Sequence, residues 1–438
     1  MIAIKSKWLI QSAQRVLKQH GLLLEDNKII DVLPNSMLDE LVKSGTVELI
    51  DATDKILCPG FVNTHMHQYG VLSHGMLPRI PIMSFKAFLE DYWWPGLENK
   101  LRCPDVVLTA KISALELVSS GVTTLCDILE APFTEEGTLI EQGKVLEQLG
   151  MRGIVSLESS ERVNIENGER CLQENLAAIR YFKGHSTLIK GAMCTHTTFT
   201  CSSEFIRKAA ALARAEAALY QFHLSESKHE PEFAKKRYSK PPVEIYLDSD
   251  ALSAQTLASQ CVKLSGEEIS LLAKSQCKFS HMPLSNCEVG GGIAPIPEMI
   301  SAGMVGGLGT DGYINDFFEV MRAAFLIHKA NAEDASVMPG REVFRLATES
   351  GASCLGWSNV GKLEKGYEAD FVVINNQFST PLTSENIFDQ LIVFGKKEYV
   401  KQVFVAGNLI YDCAREFYEG IEADKARLQE RCKELWGN

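Results

Sequence analysis

The sequence predicts a (β/α)8 TIM barrel carrying a small β-sandwich-like domain built from both chain termini. Three observations carry that prediction. Eight short apolar runs alternate with longer helical segments through the middle of the chain, the pattern of βα units around a parallel sheet. Histidines and acids fall at or just past the C-terminal ends of those runs, where barrel active sites are built. Both ends of the chain are instead rich in short β pieces separated by polar turns.

In chain order, Trp8–Ile10, Gly21–Leu24, Lys28–Val32 and Val47–Ile50 are the first such pieces, with Glu25-Asp26-Asn27 as one of the turns. They predict a small antiparallel sheet. The barrel runs follow: Phe61–Asn63, Thr123–Asp127, Gly153–Ser156, Ile189–Cys194, Leu219–His223, Thr256–Cys261, Cys277–His281 and Met304–Asp311. A doubly wound sheet is the competing architecture, and the convergence of polar residues at the run ends favours the barrel. Asp370–Ile374, Val400–Val405 and Leu409–Tyr411, the last two joined at Gly407-Asn408, return to the β style. The expected division is residues 1–57 with 360–438 as a composite β domain with a helical tail, and 58–359 as the barrel.

Composition narrows the function. Apolar residues at 45% and charged residues at 23% match a soluble globular chain and exclude disorder. A net charge of −12, with no long Lys/Arg cluster, argues against nucleic acid and anionic membranes. Met1–Trp8 lacks the apolar stretch of a signal peptide, and no apolar window is long enough to span a membrane. The 12 cysteines form no C-x-x-C pair and sit largely in apolar runs, as expected of buried thiols in the reducing cytoplasm.

The strongest local signal is Pro59-Gly60-Phe61-Val62-Asn63-Thr64-His65-Met66-His67. Strand side chains alternate, so His65 and His67 point the same way and can chelate one ion. His223 ends another run and adds a third imidazole, with Glu226 three residues further on. A catalytic zinc keeps a position open for water and lowers its pKa to about 7. A carboxylate nearby must then move the proton, and Glu226 suits that work. Asp311, in Gly309-Thr310-Asp311-Gly312, supplies a carboxylate at the end of the last run.

These segments, with Ser280–Asn286, Gly290–Met299 and Gly361–Asp370, resemble the amidohydrolase superfamily over nearly the whole chain. They look most like its adenosylhomocysteine/methylthioadenosine deaminases, cytosine and guanine deaminases and triazine hydrolases. The selenium-associated aminohydrolases are also similar, around Asn315–Phe318. The resemblance implies His65, His67, His223 and Asp311 as metal ligands and Glu226 as proton shuttle. It implies substrate contact for His196, within Cys194–Thr200, and for His281, which aligns with a histidine after the seventh strand. Trp93, in Tyr92-Trp93-Trp94-Pro95, offers an aromatic wall for a planar ring. No carboxylated-lysine pattern is needed, which favours one metal ion over two.

Three positions depart from the family pattern. Gln260 stands where the family usually carries a histidine that hydrogen-bonds the reacting centre; an amide donates and accepts but does not titrate. The family's Leu-Leu-Arg-Gly is here Leu72-Ser73-His74-Gly75. Phe85-Lys86-Ala87-Phe88-Leu89 lacks the glutamate with which relatives grip a ribose.

The expected function is hydrolytic deamination of an aminated heterocycle (a pterin, purine or pyrimidine base), with Glu226, Asp311 and Gln260 doing the catalytic work. The cofactor is one divalent ion, zinc as first choice and iron as second. A small heterocyclic substrate, and at most a second copy in a homodimer, are the expected partners. The rival readings are dechlorination or cyclic-amide hydrolysis at the same metal centre, and a non-catalytic metal-binding homologue.

Overall fold

The computed structural model describes residues 1–79 and 81–437. Its strands are β1 (Ile2–Ser12), β2 (Arg15–Lys18), β3 (His20–Glu25), β4 (Lys28–Pro34), β5 (Glu48–Pro59), β6 (Phe61–Met66), β7 (Val122–Asp127), β8 (Arg152–Val155), β9 (Ile189–Gly191), β10 (Met193–Cys194), β11 (Tyr220–Leu224), β12 (Thr256–Gln260), β13 (Lys278–His281), β14 (Gly306–Leu308), β15 (Phe371–Ile374), β16 (Val400–Val405) and β17 (Asn408–Asp412). They form two sheets.

The first sheet is the barrel, in the order β10-β11-β12-β13-β14-β6-β7-β8-β9. All its pairs are parallel. β9 and β10 are two halves of one run broken at Ala192, so the sheet nearly closes on itself with eight strand positions. β6 is buried along its whole length, as a strand packed on both faces must be. The layer between strands and helices is apolar: Phe61 meets Phe317, Phe318 and Phe344 at ring centroids 5.6–6.4 Å apart. Crowding fixes the small residues at the mouth. A Cβ on Gly70 would lie 2.6 Å from the backbone of Gly312, so the loops that follow β6 and β14 pack directly on one another.

The second sheet runs β17-β16-β15-β5-β1-β3-β4, with β2 on β1. Both chain ends contribute to it, through the antiparallel β5–β15 pair. The expected all-antiparallel pairing does not hold: β1 and β5 are parallel. The chain between them is long enough, and contains a helix at Asn35–Lys43, to make the crossover that a parallel pair requires. Leu9, Leu22, Leu57, Phe371 and Phe404 form that sheet's own core.

Arg152 at the start of β8 joins the two sheets. Its guanidinium donates to both carboxylate oxygens of Asp370 at 2.7 and 3.0 Å, with both side chains buried. The C-terminal tail is helical, Ile421–Trp436. It packs on the barrel helix Cys103–Ser119 through Arg431–Asp105 and Lys111–Asp424 pairs of 2.8 and 3.0 Å, and not on the terminal sheet with which its sequence position grouped it. Among the described residues no helix is long and apolar enough to cross a membrane, and all 12 cysteines are free.

Candidate active site

The C-terminal ends of the barrel strands open into a cavity of about 590 Å3. His67, His196, His223, Glu226, Gln260, Asp311 and Trp93 line it. His65 lies just beneath, its ring centroid 4.9 Å from that of His67 and 5.0 Å from that of His223. His65, His67 and His223 each offer one ligand atom, and these atoms lie within 4.8 Å of one another.

Hydrogen bonds to the far ring atoms set the directions of these imidazoles. His67 Nδ1 donates to the carbonyl of Ile128 at 2.7 Å, which turns Nε2 toward Asp311 Oδ1 at 3.2 Å. His65 Nδ1 is hydrogen-bonded to Ser259 Oγ at 2.9 Å. Its Nε2 is buried without a partner among the described residues, as is His223 Nδ1. Buried polar atoms are rarely left orphaned unless they serve a ligand. Directly after His67, the backbone N–H of Gln68 donates to Asp127 at 2.6 Å; burial pushes that carboxyl up to about 6.

The electrostatics follow from burial and crowding. Burial alone would lower the pKa of His67, but Glu130 and Asp311 outweigh it and raise the value well above the ordinary one. Burial lowers His65 far below the usual imidazole range, with His67 and His223 adding to the effect. Burial would raise Asp311, yet His67 and its neighbouring histidines hold it well below the usual carboxylate range. Glu226 behaves oppositely: burial, then the charges of Asp311 and Glu130, lift it well above that range. Three imidazoles whose ring nitrogens converge beside one ionised carboxylate fit a divalent metal ion, which displaces the extra proton of His67.

Gln260 and Asp311 both adopt left-handed backbone, at φ 71° and 59°, as does Ser225 at 50°. Non-glycine residues rarely sit there, and such positions gather at functional sites. The Gln260 amide nitrogen donates to Asp311 Oδ2, while Ser285 Oγ donates to the same oxygen at 3.0 Å. Gln260 Oε1 is buried without a partner among the described residues. Gln260 is therefore committed to Asp311 through its nitrogen.

His196 stands across the cavity, its Nδ1 hydrogen-bonded to Thr200 Oγ1 at 2.9 Å. Trp93 donates its indole N–H to Tyr69 Oη at 3.3 Å and stacks on Phe88 at 5.2 Å. His281 is not brought to this cavity. Its Nε2 faces His328 Nε2 at 3.0 Å in the barrel wall, so the expected substrate contact is replaced by a buried histidine pair.

Sequence reasoning missed Glu130. Its carboxylate lies 4.0 Å from His67 Nε2 and 3.8 Å from His223 Nε2, and it lines the cavity. Burial opposes its charge, but His67 and His223 prevail and hold it below the usual range. Behind it stand Tyr69, Glu98, Glu158 and Arg162. The signal was present: Glu130 and Glu158 fall just past the second and third apolar runs, as the histidines do elsewhere.

The amidohydrolase family model matches residues 56–410 of the chain. The chain belongs to this family. A 5-methylthioadenosine/S-adenosylhomocysteine deaminase of Pyrococcus horikoshii is 30% identical over 400 residues, covering 89% of each chain. Among solved structures, an adenosine deaminase from Xanthomonas campestris with bound zinc superposes with a TM-score of 0.89 at 21% identity, over 100% of this chain and 99% of that one. A guanine deaminase from C. acetobutylicum with guanine in its active site gives 0.78 at 23% identity, over 94% and 100%. Both likenesses show that this amidohydrolase shares their fold.

Proposed function

We propose that the protein is a metal-dependent hydrolase that deaminates an aminated heterocycle, with a free base preferred over its nucleoside. One observation carries this reading: buried ring nitrogens of His65, His67 and His223 converge beside Asp311, while Glu226 faces the same cavity from outside that group. The names of the deaminase relatives support the deamination, the Pyrococcus one being named for nucleosides and the guanine deaminase for a base. His65, His67, His223 and Asp311 would hold the ion, zinc by the nitrogen-rich donor set. A bound dication supplies Lewis-acid polarisation and makes water a competent nucleophile near neutral pH.

The chain's own residues do the rest. Glu226, its carboxyl raised by burial, takes the water's proton as the oxygen adds to the amine-bearing carbon. It then returns that proton to the nitrogen as the C–N bond breaks and ammonia leaves. Asp311, held in line by Gln260, accepts the hydroxyl proton of the addition product and gives it up again, the ring nitrogen ending protonated in the oxo product, so both protons of the added water are placed. Trp93 supplies a flat wall for the ring, and His196 borders the same cavity. The free thiols suit a reducing cytoplasm.

Ammonia release by purified, metal-loaded protein against bases, nucleosides, pterins and triazines tests the reading. Ammonia from at least one base or pterin is expected. Chloride from a chlorotriazine, without ammonia from any substrate, would instead favour dechlorination, since chloride leaves unprotonated.

A further inference from the structure

Beside the three-histidine group, three consecutive barrel strands each present a buried donor. Glu130 follows β7, Glu158 follows β8 and His196 follows β10. Parallel bridges at Leu129–Leu157 and Ser159–Thr195 extend the strand pairing past the barrel ends and hold the three side by side. Their ligand atoms, with one from His223, lie within 4.8 Å of one another.

The proton positions leave electron-rich atoms facing each other. Thr200 Oγ1 lies 3.3 Å from the carbonyl of Thr197, which can only accept. In the tautomer that sends the hydroxyl proton there, or to Thr197 Oγ1 at 3.2 Å, the oxygen takes the Nδ1 proton of His196 at 2.9 Å. His196 Nε2 is left with a lone pair aimed at Glu158 Oε2, 3.9 Å away. Glu158 is only 4% exposed, and this oxygen has no hydrogen-bond partner among the described residues. A lone pair and a carboxylate oxygen pointed at one gap repel unless a proton or a cation lies between them; without metal, burial and then Glu130 keep a proton on Glu158, which a binding ion displaces.

The charge count agrees. Glu98, Glu130 and Glu158 share this buried region with two cations, the guanidinium of Arg162, 2.7 Å from Glu98 and 3.8 Å from Glu158, and His67, 4.0 Å from Glu130. Buried carboxylates in excess of their counter-charges are costly.

We propose that Glu130, Glu158 and His196 form a second divalent-cation site. Two carboxylates and an imidazole suit a borderline first-row ion such as Mn2+ or Zn2+, with water completing the shell. His65 and His67 contribute nothing to it. Glu130, within 4.0 Å of His67 Nε2 and 3.8 Å of His223 Nε2, stands between the two positions and bridges them, as carboxylates do in two-metal hydrolytic sites. The sharing of Glu130 rests on the histidine group being a metal centre; the donors Glu158 and His196 do not.

Metal-stripped full-length protein, dialysed against Mn2+ or Zn2+ and analysed for bound metal, tests this. About two equivalents are expected in the wild type, about one in Glu158→Gln and about one in His65→Ala. Mn2+-soaked crystals should show an anomalous peak at bonding distance from Glu130, Glu158 and His196, a readout that survives if Glu158→Gln folds poorly. One equivalent, removed by His65→Ala, with no peak beside Glu158, would overturn the second site and leave the histidine centre standing. No bound metal in the wild type would overturn both.

Discussion

Gln260 and Asp311, at the ends of the sixth and eighth barrel strands, are joined by a hydrogen bond from amide nitrogen to carboxylate, and both hold left-handed backbone. The pairing makes Gln260 a positioning residue, which aims Asp311 and leaves its own carbonyl oxygen buried without a partner among the described residues. Gln260→Ala should lower kcat by about ten- to a thousandfold, in the range of losing a preorganised donor, with a smaller change in KM. Gln260→His should add an ionisation near about pH 6–7 to the rate profile. If both variants lose only stability, and the folded fraction keeps kcat and its pH profile, Gln260 is a structural residue.

Glu226→Gln should keep the metal and the fold while kcat falls by about two orders of magnitude or more. The wild-type pH profile checks the same group independently. Burial, then Asp311 and Glu130, raise the Glu226 carboxyl above its ordinary range. The basic form is the one that accepts the water's proton. Activity should therefore fall as pH drops through that raised value, above the ordinary carboxylate pKa of about 4.3. An acid limb at or below about 4 would move the proton transfer to another residue.

Metal uptake at the histidine group should strengthen as pH rises. Without metal, Glu130 and Asp311 overcome burial and keep His67 protonated to higher pH than a free imidazole. A ligand must shed that proton to coordinate, so binding releases protons and weakens on acidification. Isothermal titration of metal-free protein in two buffers of different ionisation enthalpy reads the proton release directly. His65→Ala or His223→Ala should abolish the histidine-bound equivalent; full metal content in both variants would sink the ligand assignment.

The joint between the sheets predicts stability. Arg152 and Asp370 are 2% and 1% exposed, and Asp370 Oδ1 also accepts the backbone N–H of Ala406 at 2.7 Å. Asp370→Ala leaves the buried guanidinium with only the more distant Glu368 carboxylate, 3.7 Å away, and should cost about 3 kcal/mol in denaturant unfolding. A loss under about 1 kcal/mol would mean that the 4.8 Å stack of Arg152 on Trp357 suffices to hold the arginine.

The barrel was legible because parallel strands buried on both faces leave uninterrupted apolar runs, and each of the eight mid-chain runs lies on a barrel strand or overlaps one. His65, His67 and His223 stood out because imidazole at the end of such a run is conspicuous. The parallel β1–β5 pair was hidden, since alternation reveals a strand but not its direction. Glu130 and Glu158 were hidden because a glutamate after an apolar run ordinarily faces water; only the fold buries them. His281 misled for the converse reason. It ends a run as the others do, but its ring turns into the wall, where His328, 47 residues further along the chain, meets it.

Substrate choice gives the remaining prediction. The segment Phe85–Trp93 lines the cavity with Phe85, Phe88, Leu89, Tyr92 and Trp93, and Ala87 is the residue that the sequence resemblance sets in place of a ribose-gripping glutamate. Rings and aliphatic side chains stack on a flat heterocycle but offer nothing to sugar hydroxyls. A hydroxyl buried without its partner costs far more than a missing methylene, so a nucleoside gains little from its sugar here and must desolvate it. kcat/KM for a free base should exceed that for its own nucleoside by about tenfold or more at one pH. Ala87→Glu should narrow the gap by improving the nucleoside alone. A wild-type preference for adenosine-type nucleosides, the compounds for which the Pyrococcus relative is named, would transfer sugar recognition to another cavity carboxylate. Glu288 and Asp316, which line the same cavity, would be the next residues to replace.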